Sequence, residues 1–176
     1  MEDRMIDDNL SELIDVNWYV GDCPFRKLPT QTSDLTELRF KASISRVIAC
    51  DFNSLFYYDT VKGTEEALQR YESLSEWMQF YLVVNPLFPQ WEIAVERASA
   101  DSRIAALRIA PCLHHYSIDA PEVKMLIRLA SKWGVPVNLM ARLFDDRIAP
   151  QFIKQTVPCR EEITKFLHDS ASEARI

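Results

Sequence analysis

Residues 14–26 read IDVNWYVGDCPFR, and the rest of the chain repeats their plan of an apolar run followed by a polar loop. The apolar run from Ile14 to Val20 has the length of a β-strand, and Gly21 and Pro24 end it at once. Polar and aromatic residues crowd the far end of this run. We therefore predict a first β-strand that leads directly into a functional loop.

Four further apolar runs of strand length follow, and helical patterns separate them. The runs lie at 44–52, 78–84, 104–109 and 135–140, and the helical patterns lie at 33–40, 63–74, 91–98, 119–134 and 161–168. In the first helical pattern, Leu35, Leu38 and Phe40 supply the predicted buried stripe. An alternation of strand and helix about every 24 to 35 residues predicts right-handed βαβ units and a parallel sheet.

Two architectures fit this alternation, an open doubly wound sheet and part of a (β/α)8 barrel. An open nucleotide-binding sheet usually carries a glycine-rich turn after its first strand, whereas this chain has only three glycines. We therefore predict an α/β fold of the (β/α)8 TIM-barrel type. Because a complete barrel needs about 250 residues, we expect an incomplete one, with about five βα units and the start of a sixth strand at 173–176.

An incomplete barrel has an exposed sheet edge, which leaves two alternatives open. Either the chain is the N-terminal portion of a barrel, or it closes its edge by pairing with another chain, for which a homo-oligomer is the simplest form. We divide the sequence into a lead-in segment at 1–13 and a single barrel domain at 14–176 that is truncated on its C-terminal side.

The composition excludes several classes of partner. The 26 acidic residues outnumber the 20 basic ones, so the surface should repel nucleic-acid phosphates. No run of about 18 uncharged apolar residues is present to cross a membrane, and the acidic N-terminus is unlike a secretory signal. We predict a cytoplasmic protein that binds neither nucleic acid nor membrane.

The four cysteines form no CxxC pair, which predicts free thiols.

In a TIM-type barrel the functional side chains lie where strands end and βα loops begin. We predict catalytic roles for Asp15, His114 and Asp145, because carboxylate and imidazole groups can move protons. The predicted substrate-binding side chains are amides and guanidinium groups, and a guanidinium offers a planar fork to a carboxylate or phosphate. These residues are Asn17, Arg26, Asn85, Arg108, Arg142 and Arg147.

Each of these roles has a structural alternative. Asp15 can instead cap backbone groups, and the arginines can instead pair with acidic residues of the chain. The run Asp145-Asp146-Arg147 can be a solvated loop whose arginine pairs with its own neighbours. His114 and His115 are adjacent, so their side chains should diverge, and we favour His114 as the one that faces the pocket.

Four short motifs stand in a fixed order along the chain. They are DVN…G…CPFR at 15–26, VVNP…FP…W at 83–91, LRI…P…H…Y at 107–116 and VPVN…R…DDR at 135–147. Together they resemble the amidohydrolase-related proteins of the metal-dependent hydrolase superfamily, over roughly residues 14–150. The resemblance implies a (β/α)8 barrel whose active members hold one or two divalent metals, usually zinc, and hydrolyse or decarboxylate small molecules.

Active members of that family open with a His-x-His pair on the first strand and commonly carry a histidine on the fifth. The corresponding positions here are Asn17 and Tyr19 on the first strand, and Asn138 and Met140 on the fifth. None of these is a usual zinc ligand. We therefore assign no metal ligand, and zinc is implied by the resemblance alone.

Two functions follow from these observations. The first is hydrolysis or decarboxylation of a small, carboxylated molecule, in which arginines hold the anion and Asp15 or His114 moves protons. An unconventional metal set of Asp15, His114 and Asp145 stays open in that case. The alternative is a non-catalytic relative that binds a metabolite or a partner. Both readings predict a small-molecule ligand.

Overall fold

The computed structural model describes residues 13–145, 147 and 150–170. The predicted sixth strand, Asp146 and nearly all of the lead-in segment lie outside these residues. The sheet contains five strands in the described part of the chain: β1 (Ile14–Val20), β2 (Arg46–Asp51), β3 (Met78–Val83), β4 (Ile104–Ile109) and β5 (Val137–Leu139). Each strand pairs in parallel with the next in chain order.

Helices connect the strands, and the five longer ones pack against the outside of the sheet. The helices are α1 (Thr32–Lys41), α2 (Phe52–Phe56), α3 (Thr60–Arg70), α4 (Trp91–Ala100), α5 (Pro111–His114), α6 (Pro121–Trp133) and α7 (Arg160–Ser170). The sheet curls into half of a barrel, which confirms the predicted fold class. None of the helices described is long and apolar enough to cross a membrane.

The inner strands β2, β3 and β4 are buried on both faces over most of their length, as their nearly continuous apolar sequences predict, whereas the edge strand β1 is largely exposed. In β4, Leu107 and Ile109 face outward and pack in one core cluster with Val95 of α4 and Ile127 of α6. A second outer cluster joins the first strands to α3. A third cluster fills the inside of the curl, where Cys50, Tyr81, Ala106 and Met140 meet.

The predicted buried stripe of α1 is wrong at two of its three positions. Leu35 is buried, but Leu38 is 39% exposed and Phe40 is 62% exposed. The helical period explains the exposure of Phe40, because a residue five positions along a helix lies about 140° around the axis from the first. Phe40 therefore points away from the face that Leu35 buries.

Candidate functional site

One arginine lies inside the half-barrel, on the concave face of the sheet. Arg108 belongs to β4, between the outward-facing Leu107 and Ile109, so the alternation of side chains along a strand turns it inward. Its side chain is only 1% exposed. A guanidinium group stays charged in proteins, so the sheet holds a full positive charge in its interior.

Two amide side chains accept hydrogen bonds from this guanidinium. Its Nε donates to Oδ1 of Asn138 in β5 at 2.9 Å, and its Nη2 donates to Oδ1 of Asn17 in β1 at 3.2 Å. The third nitrogen, Nη1, is buried and has no acceptor among the described residues. The structure thus brings together two of the predicted binding residues, Arg108 and Asn17, which are 91 positions apart in the sequence.

Two tyrosine rings flank the same guanidinium. The Cζ atom of Arg108 lies 3.9 Å from the centre of the Tyr81 ring and 5.5 Å from the centre of the Tyr19 ring. Burial raises the pKa of Tyr19 to about 12 and that of the Cys50 thiol to about 11, although the Arg108 charge lowers both. These neighbours are therefore neutral near pH 7, and none of them balances the charge of Arg108.

The described residues also supply no carboxylate that balances this charge. Within the part of the chain that the structure describes, no Asp or Glu forms a salt bridge with Arg108. A buried charge is costly unless an opposite charge and hydrogen bonds compensate it. Amide oxygens and aromatic rings compensate Arg108 in part, which leaves the site with an excess positive charge and an Nη1 amino group without an acceptor among the described residues.

Asp15 lies in the amino-terminal part of β1, away from the carboxyl ends of the strands where we expected it. Its Oδ1 accepts a hydrogen bond from the backbone N–H of Asn17 at 2.8 Å. A β-bulge interrupts the pairing of β1 with β2 between Asp15 and Trp18. The carboxylate therefore stabilises the backbone of the bulge that contains Asn17.

His114 is half-buried at the end of α5, and its ring contacts a backbone carbonyl. Its Nε2 lies 3.0 Å from the carbonyl oxygen of Leu55, so Nε2 carries the proton in the neutral ring. Nδ1 is buried and has no partner among the described residues. Burial lowers the pKa of His114. The neighbouring His115 turns away and contacts the hydroxyl of Thr156.

The other predicted site residues have local contacts or lie on the surface. Oδ1 of Asn85 accepts from the backbone N–H of Leu87 at 3.0 Å. Asp145 forms an ion pair with Arg147 in the same loop, and these hydrogen bonds hold the pKa of Asp145 at about 2. Arg26 and Arg142 are exposed.

Sequence reasoning assigned Asp51 no catalytic or binding role, yet this residue is buried at the carboxyl end of β2. Its Oδ2 accepts from the backbone N–H of Ser54 at 3.0 Å and so caps α2, while Oδ1 is buried without a partner among the described residues. Burial raises the pKa of Asp51 to about 6. The carboxylate packs against Gly21, where an added Cβ atom would lie 2.0 Å from Oδ1.

No protein-family model and no curated protein matches this sequence. Among solved structures, 5-carboxyvanillate decarboxylase LigW from Sphingomonas paucimobilis is 13% identical with a TM-score of 0.59, and the match covers 78% of this chain and 54% of that one. A probable 2-pyrone-4,6-dicarboxylic acid hydrolase from Acinetobacter baumannii, with citric acid bound, is 12% identical with a TM-score of 0.49 and coverages of 73% and 49%. This chain spans about half the length of each. At such low identity, the likeness to the decarboxylase shows the fold alone.

The zinc that the sequence resemblance implies does not fit the residues at this site. Asn17, Tyr19 and Asn138 offer amide and phenol oxygens, whereas zinc prefers imidazole, thiolate and carboxylate. A cation, Arg108, already contacts both amide oxygens. Among the described residues, no three His, Cys, Asp or Glu side chains lie close enough to hold a metal ion, so the alternative set of Asp15, His114 and Asp145 is not assembled.

Proposed function

We propose that this protein binds a small carboxylated molecule inside the half-barrel, with the Arg108 guanidinium holding the carboxylate. The observation that carries the proposal is a buried guanidinium that has neither a carboxylate partner nor an acceptor for its Nη1 amino group in the described chain. A ligand carboxylate supplies the missing charge and the missing acceptor together.

The contacts of Arg108 indicate how such a ligand is held. Asn17 is exposed, and its 3.2 Å hydrogen bond is the longer of the two amide contacts. A carboxylate that displaces the Asn17 amide reaches both Nη2 and Nη1, which gives the paired geometry that arginine forms with carboxylates. Asn138 keeps its bond to Nε and holds the guanidinium in place.

Two further observations support this class of ligand. The rings of Tyr19 and Tyr81 flank the guanidinium, so an apolar or planar body attached to the carboxylate has aromatic surfaces to contact. The solved structure with the higher TM-score, a member of the amidohydrolase superfamily, is named for a decarboxylase of 5-carboxyvanillate, itself a carboxylated compound.

Calorimetric titration of the purified chain with a panel of small mono- and dicarboxylates, each compared with its neutral amide, tests the proposal. We expect saturable binding of at least one acid, no binding of its amide, and a loss of affinity of about tenfold or more in Arg108→Gln. Arg97→Gln is the matched control, because Arg97 pairs with Glu65 on the exposed surface. The proposal is wrong if no acid binds the native chain. It is also wrong if an acid binds Arg108→Gln as tightly as it binds Arg97→Gln.

Hydrolysis or decarboxylation of the bound molecule is the second candidate, and His114 is the observation that favours it. Its buried Nδ1 carries a lone pair without a partner in the described chain, and burial keeps the ring neutral near pH 7. Such a nitrogen can accept a proton. Roles for Asp15 and Asp145 in proton transfer, and the cytoplasmic location, stay predictions.

Product analysis of each acid that binds tests this second candidate. We expect turnover by the native chain and its loss in His114→Gln, with the affinity for the acid retained. If the native chain binds the acid but releases no product, the second candidate is wrong and the function is binding alone.

A further inference from the structure

Three positions at the site are those at which the family resemblance places metal-binding histidines. Asn17 and Tyr19 occupy the His-x-His positions of β1, and Asn138 lies in β5 where a further histidine is common. The structure shows that these three side chains, which lie on two strands far apart in the sheet, all contact one group, the guanidinium of Arg108.

We infer that the guanidinium of Arg108 takes the place of the metal ion, so that a fixed organic cation supplies the positive charge of this site. The contacts match this role in detail. Amide oxygens accept hydrogen bonds from N–H groups, and both Asn17 and Asn138 present Oδ1 to the guanidinium. The ring of Tyr81 packs 3.9 Å from Cζ and stabilises a cation there through its face.

The same contacts exclude a divalent cation from this position. A metal ion between Asn17 and Asn138 would lie beside a charge of the same sign in a buried environment, where repulsion is strong. The absence of histidine at Asn17, Tyr19 and Asn138 is therefore explained by the inward-facing arginine, since a metal ion would be repelled there. The charge of the site does not depend on metal supply, and a chelator leaves it unchanged.

This inference concerns the site of the proposed function but rests on the contacts of Arg108, so its test is independent of any carboxylate. The first experiment uses the native chain and paramagnetic Mn²⁺, which broadens the NMR signals of nearby nuclei. We expect the side-chain amide signals of Asn17 and Asn138 to keep their linewidths as Mn²⁺ is added. Selective broadening of both signals overturns the inference.

The second experiment compares two variants that differ only at Arg108. Asn17→His/Asn138→His restores imidazole ligands beside the guanidinium, and the same pair combined with Arg108→Gln removes the cation. Co²⁺ titration, followed by visible absorption, reports metal binding by imidazole. We expect the variant with Arg108→Gln to bind Co²⁺ about tenfold or more tightly than the variant that keeps Arg108. Equal affinities, including equal absence of binding, overturn the inference.

Circular dichroism of both variants checks that they fold. Should the variant with Arg108→Gln not fold, the Mn²⁺ measurement on the native chain decides the question. If the native chain binds no carboxylate, the proposed function is wrong, but both metal measurements still test the role of Arg108. A failure of the proposed function can therefore be told apart from a failure of this inference.

Discussion

The hydroxyl group of Tyr81 donates a 2.8 Å hydrogen bond to the backbone carbonyl oxygen of Val16, which joins β3 to β1 across the intervening strand β2. The same tyrosine stacks its ring on the Arg108 guanidinium. One side chain therefore holds the curvature of the half-barrel and contacts its buried cation.

Two substitutions at Tyr81 separate these roles. Tyr81→Phe removes only the hydrogen bond to Val16, and we expect a loss of about 1 kcal/mol in the free energy of unfolding. Tyr81→Leu also removes the aromatic face, and we expect a total loss of about 2 to 3 kcal/mol. Urea unfolding measures both losses. Equal losses in the two variants would show that the ring does not stabilise the guanidinium.

Asp51 should make the chain less stable as the pH rises. The pKa of its carboxyl group is about 6 in the folded chain, against an ordinary value of 3.8, so the folded state binds the proton more tightly than the unfolded state. The resulting stabilisation is complete below the ordinary pKa and is lost as the pH rises through about 6.

Asp51→Asn tests this linkage because it keeps a side-chain oxygen for the cap of α2 and removes the buried charge. At pH 8 we expect the variant to be more stable than the native chain by up to about 3 kcal/mol, the equivalent of a shift of about two pKa units. At pH 4.5 the difference should be much smaller. Urea unfolding at both pH values measures it, and a difference independent of pH contradicts the assignment.

Gly21 should tolerate no side chain. Its φ is +82°, and a Cβ atom would lie 2.0 Å from Oδ1 of Asp51. We expect Gly21→Ala to lower the free energy of unfolding by about 2 to 4 kcal/mol. Gly134→Ala is the matched control, because φ is +67° there and nothing lies within 4 Å of an added Cβ. Gly134→Ala should lower the free energy of unfolding by about 1 kcal/mol. Equal losses in the two variants would show that the contact with Asp51 does not contribute to the loss at Gly21.

His114 should have the opposite pH dependence to Asp51. Burial lowers its pKa below the ordinary value of 6.5, so the unfolded state binds the proton more tightly. The stabilisation is present above pH 6.5 and is lost as the pH falls through that value and below. His114→Gln keeps a donor for the Leu55 carbonyl and should remove this loss. Thermal unfolding of both chains between pH 5 and 8 measures it, and parallel pH profiles contradict the prediction.

The fold was largely predictable because its signal is local. Apolar runs and Gly or Pro breakers identify each strand, and Gly134, at the end of the helical pattern predicted at 119–134, has the positive φ of a helix C-cap. The apolar run at 44–52 shows the limit of such patterns. No helix was predicted directly after it, but the Asp51 carboxylate caps the backbone of Ser54 and α2 begins at Phe52.

The site was predictable only in part, because its contacts depend on the curvature of the sheet. Arg108 and Asn17 were both selected, but no local pattern shows that residues of β4 and β1 meet. Asn138 was dismissed as a poor metal ligand and Tyr81 was not considered. A polar residue inside an apolar strand was the available signal, in LRI for Arg108 and in VNL for Asn138.

The β-bulge in β1 has a consequence for how this chain can vary over evolution. The strand carries one extra residue between Asp15 and Trp18 relative to β2, and protein families keep such bulges because a bulge sets the direction of nearby side chains. Asn17 lies within the bulge and Tyr19 lies beyond it, on the side that leads to the loops. Descendants of this sequence should therefore lack insertions and deletions between Asp15 and Trp18, because a change of length there would displace Asn17 from Arg108 and Val16 from the Tyr81 hydroxyl group.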